Sequence, residues 1–75
     1  MSARSATVLR LAALPVGEPA RATLYASLRT TTSPCAASVV AAKFRDYRRR
    51  GFLTTEDWQT ARLTDRGRQM LGRLP

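Results

Sequence analysis

The sequence predicts a small α+β domain, mainly helical, with three helices, a short β-hairpin and a C-terminal helix. Three observations predict it. The chain has 75 residues, which is room for one domain. Before Gly51, apolar residues recur at helical spacing in three stretches, each bounded by Pro, Gly, Ser or Thr. After Gly51 the pattern changes to apolar and β-branched residues around a turn, followed by one more capped helical stretch. There is no internal repeat, linker or low-complexity segment. A single domain is therefore expected over residues 6–75, behind a polar, mobile start at residues 1–5.

The elements follow in order. Ser5 can cap a first helix over about Ala6–Leu14, with Val8, Leu11 and Ala12 on its apolar face. Pro15, Gly17 and Pro19 break it. Thr23 can cap a short second helix over about Leu24–Arg29, where Leu24, Tyr25 and Leu28 form a buried face. Thr30-Thr31-Thr32 reads as a turn. Ser33-Pro34 marks a helix start, because proline lacks a donor that would be unpaired there in any case. The third helix runs from Pro34 to about Arg50 and stops at Gly51. At about 100° per residue, Ala36, Ala37, Phe44 and Tyr47 cluster around Val40 as its core stripe. Ser38, Ala42, Arg45 and Arg49 lie opposite. Phe52–Thr55 and Gln59–Leu63 read as the two strands of a hairpin, with Glu56-Asp57-Trp58 as its turn. Thr64 caps the last helix, Asp65 to about Leu74, with Gly67, Met70, Leu71 and Leu74 on one face.

Composition narrows the function. Thirteen basic residues stand against five acidic ones, a net charge of +8, and there is no histidine. The commonest general base and metal ligand is therefore missing. One cysteine makes neither an internal disulfide nor a cysteine-based zinc site. Cys35 has no histidine partner, and the five acids are scattered, so no enzyme and no cofactor are expected. The apolar stretch Val8–Val16 is interrupted by Arg10 and Pro15, too short for a membrane span or a clean signal peptide. These features suit a reduced, cytoplasmic, basic module. High Ala and Arg usage is compatible with a GC-rich bacterial or phage genome.

Two glycine-containing segments carry a resemblance. Phe44-Arg45-Asp46-Tyr47-Arg48-Arg49-Arg50-Gly51-Phe52-Leu53 looks like the end of a recognition helix and the start of a wing. Leu63-Thr64-Asp65-Arg66-Gly67-Arg68, followed by Leu71, looks like the helix that begins after the wing. Leu9–Leu14 with Pro15 and Gly17 resembles the first helix and its exit. Together these resemble a winged helix-turn-helix domain over about residues 6–74. The resemblance implies a DNA-binding transcription regulator that places helix 34–50 in the major groove of double-stranded DNA. On this reading Ser38, Ala41, Ala42 and Arg45 face bases, and Arg48 and Arg49 contact phosphate near the helix end. Lys43 and Arg50 join them as nucleic-acid-binding residues, sharp specificity needing Arg45 or Lys43. Thr32 and Ser33 add hydroxyl donors to phosphate.

Two residue patterns depart from it. The N-terminal half of that helix has no bidentate base reader. The wing tip carries Glu56 and Asp57, which repel phosphate. These departures favour an alternative: a protein-interaction module of phage or mobile-element type. It would dock through Trp58, Glu56 and Asp57 on a machine such as RNA polymerase or a nuclease. Trp58 has a second reading, as a lid folded over the thin core. RNA binding ranks below both, because no exposed aromatic platform is evident. A homodimer would need a further apolar patch, for which Leu9 on the outer side of the first helix is the candidate.

Overall fold

The computed structural model describes residues 3–30 and 36–74. Four helices make up its regular structure: α1 (Ala3–Ala13), α2 (Pro19–Thr30), α3 (Ala36–Arg49) and α4 (Asp65–Gly72). α1 packs against each of the other three. Its burial explains this position. Val8, Leu9 and Leu11 are wholly buried, and Ser5, Ala6 and Ala12 are nearly so, leaving Arg10 and Ala13 to solvent. A helix apolar around most of its circumference must be covered on several sides. Two expectations are corrected here. The helix begins at Ala3, within the stretch read as a mobile start. Leu9 is core, so it supplies no patch for a homodimer.

α2 begins at Pro19, five residues earlier than Leu24. Proline at the first helical position opens this helix instead of only ending the previous one, because its missing N–H costs nothing there. The inward stripe is Arg21, Leu24, Tyr25 and Leu28, at i, i+3, i+4 and i+7, with an arginine in its first place.

α3 buries Val40, Phe44 and Tyr47, as its periodicity predicts, whereas Ala37 is exposed. Ser33-Pro34, read as its start, lies outside the described residues. Its end is closed by a Schellman motif. The Phe52 N–H donates to the Tyr47 carbonyl at 2.9 Å and the Gly51 N–H to the Arg48 carbonyl at 3.0 Å. Gly51 takes φ +82°, which an L side chain rarely adopts.

The hairpin is the main correction. No strand forms among the described residues, so the domain is all-helical, without a β-hairpin wing. Segment 52–64 holds one isolated antiparallel bridge, Leu53 to Leu63, and the pairing decays beyond it. Thr54 N–H reaches the Arg62 carbonyl, but the Arg62 N–H turns to the Thr54 hydroxyl. Asp57 then winds the chain into a helical turn. Its carboxylate accepts from Gln59 N–H at 3.1 Å, and its carbonyl accepts from Thr60 and Ala61 N–H. The carbonyls of Trp58, Gln59 and Ala61 go to Arg21 instead of a partner strand.

Thr64 ties this segment to both neighbouring helices. Its hydroxyl donates to the Gly51 carbonyl and accepts from the Gly67 N–H, capping α4 as its sequence predicts. Gly67 packs its backbone directly on Phe52; a Cβ there would lie 2.3 Å from the Phe52 carbonyl oxygen. Met70, Leu71 and Leu74 pack against the core from the same face of the chain end.

Candidate nucleic-acid interface

The outward face of α3 follows from its inward one. With Val40, Phe44 and Tyr47 committed to the core, Ser38, Ala41, Ala42, Arg45 and Arg49 are left exposed together. The first half of this face is flat, built of small side chains. The second half is cationic.

The four arginines near its C-terminal end are not equivalent. Arg48 donates to Glu56 at 3.2 Å and Arg50 pairs with Asp46 at 3.1 Å. Arg45 and Arg49 have no ion pair among the described residues. Both pairs are about half exposed, and such surface pairs contribute roughly 0–1 kcal/mol, so a phosphate can displace either carboxylate. Lys43 lies on the flank, half buried, with its Nζ donating to the Ser5 hydroxyl of α1 at 3.4 Å. It therefore does not share the face of Arg45. Thr32 and Ser33 lie outside the described residues, as does Cys35.

The residues assigned to partner docking are placed differently from one another. Trp58 is half buried and stacks on Tyr25, with ring centroids 4.4 Å apart and planes 13° from parallel. It covers the core, the second of its two readings. Asp57 serves its own turn, and Glu56 neutralises Arg48. Glu56 thus removes the repulsion its charge would bring to the α3 surface.

Arg21 is the residue that sequence reasoning missed. It is only 2% exposed and has no carboxylate partner among the described residues. Its guanidinium donates to six carbonyls: Ala12, Leu14 and Pro15 at the end of α1, and Trp58, Gln59 and Ala61 in the 52–64 segment. The shortest run 2.6 Å to Leu14 and 2.8 Å to Ala61. Burial, and next the like charge of Arg62, push its pKa below the ordinary guanidinium value. That value starts far above neutrality, so the carbonyl ring holds a charged group at working pH. A signal existed: extending the Leu24–Leu28 stripe one turn toward the N-terminus lands on position 21.

Two further arginines belong to the charged surface and were not singled out in the sequence. Arg66 in the first turn of α4 and Arg73, its C-cap seven residues on, are exposed and without an ion pair among the described residues. Arg66 sits 5.5 Å above the Phe52 ring, beside Gly51 at the end of α3.

A groove of about 700 Å³ lies elsewhere, between the end of α1 and α4, with Leu14, Val16, Leu63 and Leu71 in its walls and Arg62 and Arg68 at its edge. Among the described residues no His, Cys, Asp and Glu cluster could hold a metal ion. No helix among them is long and apolar enough to cross a membrane. Comparison of the chain with protein-family models, curated proteins and solved structures finds no match.

Proposed function

We propose that this chain is a small DNA-binding protein, a transcription regulator that lays the exposed face of α3 against a double helix without using a wing. One observation carries the reading. Arg45 and Arg49 project from one exposed helical face with no carboxylate to neutralise them, while the acids nearby are spent on Arg48 and Arg50. Phosphate supplies the missing counter-charge, and release of its condensed ions supplies most of the sequence-independent affinity. The small residues Ser38, Ala41 and Ala42 let the helix approach closely. Arg45 is the side chain placed to reach a guanine edge.

Binding to a labelled 30-base-pair duplex across a salt series tests this. The wild type is expected to bind with micromolar or tighter affinity that falls steeply with salt, and Arg45→Glu/Arg49→Glu to lose it. A folded wild type that does not bind at low salt would overturn the reading.

The second reading, a module that docks on a protein machine, draws support from the same face. Its N-terminal half presents no bidentate base reader. Trp58 is no longer its anchor, because that ring is stacked on Tyr25.

A further inference from the structure

Charge on this molecule is not confined to α3. Three of its five acids are spent on neighbouring arginines: Asp46 on Arg50, Glu56 on Arg48 and Asp65 on Arg68. Asp57 holds its own turn. The α4 arginines divide by helical angle. Arg68 turns to one flank, where Asp65 neutralises it at 2.8 Å. Arg66 and Arg73 share the other flank with exposed Gln69, and neither has an ion pair among the described residues.

The position of Arg66 is specific. Its Cδ would lie 3.8 Å from a Cβ at Gly51, the residue that ends α3. Its guanidinium rests over Phe52, which follows directly in sequence and packs edge-on against Tyr47 of α3. A cation over an aromatic face is partly ordered before it meets a ligand. Arg66 thus prolongs the cationic end of α3 beyond the last turn of that helix. A helix lying in a major groove ends against the phosphate ridge that bounds the groove.

We propose that Arg66 of α4 and Arg73, which caps its C-terminus, are phosphate-contacting residues, gripping the backbone of a duplex whose groove is occupied by α3. The proposal rests on the α3 reading. It gives α4 the backbone-contacting task that the 52–64 segment, with Glu56 and Asp57 at its tip, is poorly charged to perform. These contacts position the duplex and carry no sequence information.

The test is the salt dependence of binding by Arg66→Ala/Arg73→Ala, measured on duplexes of unrelated sequence, with Arg68→Ala and Arg45→Glu/Arg49→Glu alongside. Each lost phosphate contact lowers the slope of log K against log salt by about 0.9, so the double variant is expected to lose about 2. Its affinity at low salt should fall roughly ten- to a hundredfold, equally for every sequence. Arg68→Ala should keep the wild-type slope. Arg66→Lys, which retains the charge, should keep most of the slope, and thermal melting of each variant reports whether loss of the Phe52 contact disturbs folding. If the α3 variant loses binding while Arg66→Ala/Arg73→Ala keeps the wild-type slope, this inference is wrong and the α3 reading stands. If the wild type does not bind, or the α3 variant binds as well as wild type, the reading on which the inference rests fails with it.

Discussion

Arg21 shows how one side chain can organise a thin core. A guanidinium taken from water needs compensation, and here it comes wholly from main-chain carbonyls instead of a carboxylate. Two of these acceptors, the Ala12 and Leu14 carbonyls where α1 ends, have no main-chain donor of their own among the described residues, while Pro15 just beyond also accepts from the Glu18 N–H at 3.1 Å. The other three lie in a segment that lacks strand pairing. Arg21 therefore satisfies two groups of orphaned acceptors at once. Hydrogen bonds to charged groups are worth about 1.5–3 kcal/mol each, so Arg21→Met should destabilise the domain by about 3 kcal/mol or more. A domain of this length has only about 4–11 kcal/mol in total. Arg21→Lys keeps the charge but cannot span the two segments, and should cost nearly as much. Urea denaturation measures both, and a midpoint for Arg21→Met within about 0.5 kcal/mol of wild type would contradict the clamp.

Gly67 makes the corresponding point for an element. In an isolated helix, Gly→Ala gains about 1 kcal/mol. In α4 the added Cβ would press into the Phe52 carbonyl oxygen at 2.3 Å and touch Leu63 at 3.0 Å. Gly67→Ala is therefore expected to destabilise, by about 1–3 kcal/mol, against its propensity. Thermal melting decides the sign. The elements differ in how far the sequence disclosed them. The cap at Thr64, the stop at Gly51 and the core stripe Val40–Phe44–Tyr47 were legible, because each depends on neighbours a few residues away. The two strands were misread because Phe52–Thr55 has strand composition but its outcome was settled from outside. Asp57 nucleated a turn, and an arginine about forty residues upstream took the carbonyls. The start of α2 was missed because Pro19 was read as a breaker alone. In the candidate interface, the exposed set Ser38, Ala42, Arg45 and Arg49 followed from period alone. Which arginines keep a free charge did not, since that depends on where Glu56 and Asp46 come to rest.

For the whole molecule, the governing quantity is its net charge of +8 on 75 residues. Like charges brought together by folding oppose the compact state, and salt screens them over about 10 Å at 0.1 M. The melting temperature of the free protein is therefore expected to rise as sodium chloride goes from about 10 to 300 mM. A short duplex at low salt should raise it further, by mass action on the folded state, and that increment should shrink as salt is added. Calorimetry with and without duplex at three salt concentrations measures both trends. A melting temperature that falls with salt in the free protein would mean that the surface ion pairs outweigh the repulsion.

The guanidinium clamp also sets an order of events during synthesis. Arg21 emerges from the ribosome 37 to 40 residues ahead of Trp58 and Ala61, two of the carbonyls that complete its shell. Until those residues are out, burying it between α1 and α2 would strand a charge with half its acceptors. The first two helices must therefore wait, open to water, for the far end of the chain. A nascent chain arrested before residue 58 should be as protease-sensitive as an unfolded one, and the domain should close in a single step only once residue 61 and the α4 residues that complete the core are free.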